Sequence, residues 1–174
     1  MHKVSFFGLL ETRVKSNKAN GVLHKLGSHW SRLDNYLSHP NGRIWCIWDS
    51  RVWDVHLLFS SEKFLHVSVS AIHSRCKFFT SFVYGFNVGC ERKYLWQALV
   101  DFQVGNDPWI VMGDFNVVFQ AAEKFQGNSI NSTDVIDAVD CCNSILLLDL
   151  VFSCLNFTWS NRSMGENLII AKLD

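Results

Sequence analysis

Short apolar runs separated by polar punctuation dominate the chain. They occur at 4–10 (VSFFGLL), 43–48 (RIWCIW), 52–59 (VWDVHLLF), 64–72 (FLHVSVSAI), 78–84 (FFTSFVY) and 109–112 (WIVM). Each has the length of a strand. FLHVSVSAI alternates apolar and polar residues, which predicts a half-buried strand. VSFFGLL and WIVM are uninterrupted, the pattern expected of strands covered on both faces. The period changes twice. Residues 91–103 place Tyr94, Leu95, Ala98, Leu99 and Phe102 at helical spacing. Residues 132–146 open on Ser132, Thr133 and Asp134, good capping residues, and put Val135, Ile136, Val139 and Cys142 on one face. The tail carries LLDLVF, the aromatic segment NFTWSN and a last apolar stretch, NLIIAKLD, which predicts a final strand. Many strands with a few interspersed helices predict a mixed α/β layered fold.

Composition narrows this picture. A chain of 174 residues, 48% apolar and 14% aromatic, has enough material for a substantial core and reads as one domain, 1–174. No stretch approaches the roughly 18–20 apolar residues of a membrane span, and no secretory leader is visible. The six cysteines form no CxxC pair and no zinc spacing. They are expected to be buried, reduced thiols of an intracellular protein, nuclear or cytoplasmic. Sixteen basic and sixteen acidic residues balance. This weighs against a strong autonomous nucleic-acid binder, whose affinity comes largely from neutralising phosphates.

Candidate chemistry sits where strand-like runs end. Glu11 follows VSFFGLL; Tyr84 and Asn87 close and follow FFTSFV; Asp114 and Asn116 follow WIVMG. Loops at the ends of rigid strands are common places to assemble a site. Mg²⁺ takes oxygen ligands, often one or two carboxylates completed by water and substrate phosphate. Glu11 and Asp114 offer such carboxylates, and Asn116 could orient a phosphate or a water. Their separation in sequence is too long for a local motif.

The order of motifs says more. LLETRV (9–14), VYGFN (83–87) with ERKYLW (91–96), PWIVMGDFNVV (108–118), FTWSN (157–161) and a closing KLD (172–174) resemble the endonuclease/exonuclease/phosphatase superfamily, which includes DNase I and the apurinic endonucleases. Within it the chain is most similar to the endonuclease domains of plant non-LTR (LINE-type) retrotransposons. The positions that carry this likeness are Tyr84, Arg92, Leu95, Trp96, Trp109 and the EKFQG segment at 123–127. The resemblance runs from about residue 4 to residue 174. It implies an α/β four-layer sandwich, two mixed β-sheets face to face with helices outside. It also implies hydrolysis of a DNA phosphodiester assisted by Mg²⁺, with Mn²⁺ as the alternative ion. By this likeness Glu11 would be the metal ligand and Tyr84 would contact the scissile phosphate. Asp114 would align or deprotonate the attacking water, and Asn116 would hold that water and a phosphate oxygen. Asp174 would orient a catalytic histidine, as carboxylates do in other histidine-dependent hydrolases.

Two departures qualify the resemblance. Relatives begin with a strand ending in asparagine ahead of the Glu strand, and they end in an SDH segment. The sequence here has neither, so the sandwich is expected to be incomplete at both terminal strands. None of His2, His24, His29, His39, His56, His66 and His73 lies beside an equivalent SD pair. General acid–base help is worth roughly 10²–10⁴ in rate, so nicking is expected to be absent or strongly impaired. DNA is the partner the resemblance implies. A non-catalytic binding domain and a phosphoesterase acting on a smaller phosphate ester are the alternatives. Oligomeric state is left open.

Overall fold

The computed structural model describes residues 4–102, 104–150 and 157–173. In chain order the elements are β1 (Phe6–Leu10), α1 (Ser16–His24), β2 (Trp30–Asp34), β3 (Ile44–Asp49), β4 (Trp53–Ser60), β5 (Phe64–Ala71), β6 (Lys77–Tyr84), α2 (Gly89–Asp101), β7 (Trp109–Asp114), β8 (Lys124–Phe125), α3 (Ser132–Ser144), β9 (Trp159–Ser160) and β10 (Ile170–Ala171). The chain divides into two compact units, Met1–Tyr84 with Val104–Gly113, and Gly85–Gln103 with Asp114–Asp174. None of the described helices is long and apolar enough to cross a membrane.

In the first unit two sheets face each other. One has the order β1-β3-β2 and the other β4-β5-β6-β7. Strand β3 explains how they hold. Ile44, Cys46 and Trp48 point one way, into a core shared with Val55, Leu65, Val67, Val69, Phe82 and Tyr84 of the second sheet. Trp45 and Ile47 point the other way and pack with Ala19 of α1. Successive strand side chains alternate between faces, so a run of apolar residues here serves two layers at once, and all six residues of β3 are buried. The double coverage expected of VSFFGLL therefore belongs to IWCIWD instead. β1 is an edge strand whose Leu9 is 42% exposed. β5, expected to be half-buried, is a central strand with Phe64 to Val67 all buried.

The three-stranded sheet is antiparallel throughout, not mixed. The four-stranded sheet is mixed. β4, β5 and β6 are antiparallel, whereas β7 runs parallel to β6: the pairing of Phe79 with Pro108 advances to the close approach of Val83 and Gly113. A parallel neighbour needs a long crossover, and the chain supplies one through α2.

Thr80 lies between Phe78 and Phe82 on the core-facing side of β6, fully buried, and its hydroxyl has no hydrogen-bond partner among the described residues. An orphaned buried hydroxyl is costly, whereas valine has the same shape without the polar atom. Thr80→Val is expected to raise stability by about 1 kcal/mol, read as a shift of the urea midpoint with an unchanged slope.

On the opposite face of that sheet, His66 is 1% exposed and lies between the rings of Phe64 and Phe79, each 5.9 Å away and nearly parallel to it. Its Nδ1 is 2.7 Å from Ser81 Oγ, and that oxygen accepts a hydrogen bond from Trp109 Nε1 at 2.8 Å. The enclosing rings leave the imidazole no water to solvate a charge, which favours its neutral form. Burial pushes the His66 pKa down to about 4. The unfolded chain, with an ordinary histidine, binds the proton first. Stability is therefore fully present above about pH 6.5 and falls as pH drops toward 4, by on the order of 3 kcal/mol. Urea unfolding of the wild type and His66→Gln between pH 7 and pH 4.5 checks this. The variant is expected to lose the pH dependence assigned to this residue.

The second unit contains α2 and α3, which pack on each other, and a small sheet of order β8-β10-β9, antiparallel in both pairings. Both helices fall within two residues of the expected bounds, but their buried faces differ. α2 buries Arg92, Leu95, Trp96 and Leu99, and Tyr94 is 77% exposed. α3 buries Ala138 and Cys141 and exposes Ile136 and Val139. Its cap is Asn131, whose side chain accepts from the Thr133 N–H, one residue ahead of the expected Ser/Thr/Asp group. The last strand shrinks to Ile170–Ala171. Of the cysteines, Cys46 and Cys141 are buried as expected, whereas Cys76 and Cys90 are exposed; Cys154 lies outside the described residues.

Candidate functional site

Within the first unit the structure joins two of the expected residues. Tyr84 ends β6 and is 7% exposed. Its hydroxyl donates to Glu11 Oε1. Glu11 follows β1 directly and adopts φ +51, in the left-handed region that non-glycine residues rarely occupy. Arg13, two residues on, has φ +49. Turning the chain this way at the strand's end aims the carboxylate at Tyr84. Backbone of this kind persists where its surroundings over-determine it, and it concentrates at functional positions. The Glu11 side chain remains 45% exposed, so its carboxylate is open to a ligand.

Three cations surround this pair: Arg13 lies within LLETRV, whereas Arg43 and Lys63 belong to none of the motifs. Arg43 Nη1 stands 3.8 Å from Glu11 Oε1, and Arg13 Nη2 stands 3.9 Å from Glu11 Oε2. Lys63 Nζ lies 4.3 Å from the centre of the Tyr84 ring, and the Arg43 guanidinium 5.9 Å from it. Cations over an aromatic face are attracted by its quadrupole. A chain of zero net charge thus carries a local positive field beside Glu11 and Tyr84.

Within the second unit the other two expected residues come together. The Asn116 N–H donates to Asp114 Oδ1 at 2.9 Å, which fixes the carboxylate's direction. Asn116 has φ +53, and its Nδ2 donates to the Gly85 carbonyl at 2.8 Å. The Gly85 N–H in turn donates to the Asp114 carbonyl at 2.6 Å. The VYGFN and GDFN loops are therefore stitched to each other. Since one amide proton of Asn116 is committed to Gly85, the other proton and the carboxamide oxygen are what it can offer a ligand.

The glycines of both motifs have steric reasons. A Cβ on Gly113, at φ +141, would lie 2.0 Å from the Val83 carbonyl oxygen. A Cβ on Gly85 would lie 2.2 Å from the Phe115 carbonyl oxygen. Side chains there would drive the two loops apart. Phe115 stacks on Trp96 of α2 at 6.0 Å and 13°, and its N–H donates to the Leu173 carbonyl at 2.7 Å. The Trp of ERKYLW thus supports the loop of GDFN. Asp174 itself lies outside the described residues.

Arg92 supports the VYGFN loop. It is 5% exposed, and its Nη1 donates to the carbonyls of Phe86 and Asn87 at 2.9 and 3.3 Å. Its Nη2 pairs with Asp134 Oδ2 at 2.7 Å. The residues after Tyr84 are thereby fixed to both helices of this unit. Glu123 of EKFQG accepts from the backbone N–H groups of Phe119 and Gln120 and pairs with Lys172 at 3.3 Å.

The histidines with defined partners are committed elsewhere: His29 to Asp49, His39 to Glu62, His56 to Asp54 and His66 to Ser81. Among the described residues no group of three or more His, Cys, Asp or Glu side chains gathers as a metal cluster. The donor chemistry that is present, an accessible carboxylate beside a phenol, fits an ion held through one protein carboxylate and otherwise by water and phosphate.

No family model matches the sequence, and no curated protein matches it. Solved structures do match the fold. The endonuclease domain of TRAS1, a telomere-specific non-LTR retrotransposon, superposes with a TM-score of 0.65 over 96% of this chain and 82% of that one, at 12% identity. An endonuclease/exonuclease/phosphatase family protein from Bacteroides thetaiotaomicron gives 0.51 over 80% of this chain and 55% of that one, at 11% identity. The human Nocturnin catalytic domain gives 0.45 over 66% of this chain, at 16% identity, and the chain spans 52% of its length. The chain has the DNase I-like fold of endonuclease/exonuclease/phosphatase proteins, as its motif order implies.

Proposed function

We propose that this chain is a metal-dependent phosphodiester hydrolase of the DNA-nicking kind, of the branch that serves non-LTR retrotransposons. The observation that carries the reading is the Tyr84–Glu11 hydrogen bond at the ends of β6 and β1, with Arg13, Arg43 and Lys63 around it. Phosphate esters are anions, and cations gathered beside a carboxylate able to hold an ion recognise them by charge. The likeness in fold to a retrotransposon endonuclease domain supports the choice of DNA.

Each residue's part follows from its chemistry. Tyr84 contacts the reacting phosphate through its hydroxyl, within the positive field of the nearby cations. Asp114, its carboxylate held by the Asn116 N–H, accepts a hydrogen bond from the attacking water and aligns it. Asn116 uses its remaining amide proton and its oxygen on the water or a phosphate oxygen. Mg²⁺, or Mn²⁺ in its place, would be held through Glu11 and would neutralise charge on the phosphoryl group. His29, His39, His56 and His66 are tied to other groups, so we assign proton transfer to none of these four.

Conversion of supercoiled plasmid to open circles in Mg²⁺, blocked by a chelator, tests the reading. Turnover of a small phosphomonoester without nicking would move the activity to the phosphoesterase alternative. DNA binding without any turnover would make the chain a binding domain.

A further inference from the structure

We propose that Arg43 and Lys63 form a clamp for a backbone phosphate of the bound strand, next to the phosphate that Tyr84 contacts; this rests on the nuclease reading above and names how its site selects a polymer. Arg43 is 30% exposed at its side chain, lies against the Tyr84 ring and donates no hydrogen bond among the described residues. At 3.8 Å from Glu11 its ion pair is beyond hydrogen-bond length. A planar fork of donors held in place but not consumed is suited to two oxygens of one phosphate. Lys63, over the same ring, adds a point charge.

Both cations are built in by backbone. Asn35 is fully buried, and its Nδ2 donates to the carbonyls of Ser61 and Glu62, each at 3.0 Å. Its Oδ1 accepts from the Ile44 N–H at 3.0 Å. One carboxamide therefore ties the segment leading to Lys63 to the residue after Arg43. On the other side of Arg43, the Gly42 carbonyl accepts from the Thr12 hydroxyl at 2.8 Å, immediately after Glu11. The Lys63 carbonyl accepts from the Tyr84 N–H at 2.9 Å. Arg43 and Lys63 are thus registered to Glu11 and Tyr84 through one or two covalent steps each. Fixing the donors beforehand reduces the ordering cost of binding. With the Tyr84 hydroxyl assigned to the reacting phosphate, the clamp takes a neighbouring one. A phosphodiester chain supplies that second phosphate and a phosphomonoester does not.

The test is the salt dependence of binding to a short double-stranded oligonucleotide, read by fluorescence anisotropy between about 50 and 200 mM salt. Removing one cation that neutralises a phosphate reduces the steepness of log K against log salt by about 0.9. Arg43→Gln and Lys63→Gln are each expected to reduce it by that amount, and the double variant by about twice as much. Lys63→Arg is expected to keep the wild-type slope. Arg51→Gln, which removes a cation paired with Asp49, is expected to leave it unchanged. A double variant that binds DNA with the wild-type slope overturns the clamp and leaves the nuclease reading standing. A wild-type chain that binds no DNA overturns the nuclease reading and the clamp's ligand with it. If Arg43→Gln fails to fold, Lys63→Gln against Lys63→Arg decides alone.

Discussion

Asp114→Asn is expected to lower plasmid nicking by on the order of 10²–10⁴ while leaving the melting temperature near that of the wild type. The choice of asparagine is what makes the result informative. Asp114 Oδ1 accepts the Asn116 N–H, and a carboxamide oxygen can accept the same bond. The Asp114 carbonyl, which accepts from the Gly85 N–H, is backbone and untouched. The loop therefore keeps its conformation, and what disappears is the negative charge that orients and helps deprotonate a water. Asn116→Asp is the contrasting variant. It replaces an amide that donates to the Gly85 carbonyl with an oxygen that cannot, so two acceptors would face each other. That change is expected to disturb the loop as well as activity, with a fall in melting temperature that Asp114→Asn does not show. Unchanged nicking in Asp114→Asn, with wild-type activity present, would remove Asp114 from the chemistry.

How far the sequence carries toward this site depends on the kind of interaction involved. Glu11, Tyr84, Asp114 and Asn116 stand at strand ends within motifs of fixed order, and the structure pairs Glu11 with Tyr84 and Asp114 with Asn116. Runs such as RIWCIW and FFTSFVY are strands because they bury apolar side chains at period two, and that signal is local. By contrast, α1 and β2 have no such signature. SNKANGVLH buries Ala19 as its one fully enclosed side chain, and WSRLD is half-buried throughout. Both are secured by packing against β3, which no local window reveals. Arg43, Lys63 and Asn35 are illegible for a related reason. Their roles arise from interactions across tens of residues, through carbonyls and ring faces that residue type does not encode. The buried faces of α2 and α3 shifted because Arg92 and Cys141 take inner positions and leave Tyr94 and Ile136 outside. A hydrophobic count assigns a buried arginine to the wrong side.

That arginine is where the largest effect on stability is expected. Arg92→Met is expected to cost about 3–5 kcal/mol, the range for breaking one partner of a buried pair. For a domain of this length that corresponds to a fall of roughly 6–20 °C in melting temperature. The reason is the number of groups that depend on one guanidinium. Methionine fills much of the space, but Asp134 loses a 2.7 Å partner, and the Phe86 and Asn87 carbonyls lose their donor. Partly buried acceptors left without donors carry the full cost of desolvation. Gly89 makes relief by movement difficult, because Asp134 already lies where a Cβ on Gly89 would be, 2.0 Å from Oδ1. Removing the carboxylate too, as Arg92→Met/Asp134→Leu, is expected to restore a large part of the stability, since an apolar pair leaves no buried charge behind. The cycle separates two contributions. What Asp134→Leu recovers belongs to the ion pair. What it does not recover belongs to residues 86–87, whose displacement would pass through Gly85 to the Asn116 amide. Nicking in the double variant is therefore expected to stay below wild type even after stability returns. Full recovery of both would show that Arg92 holds the helices together without positioning the loop.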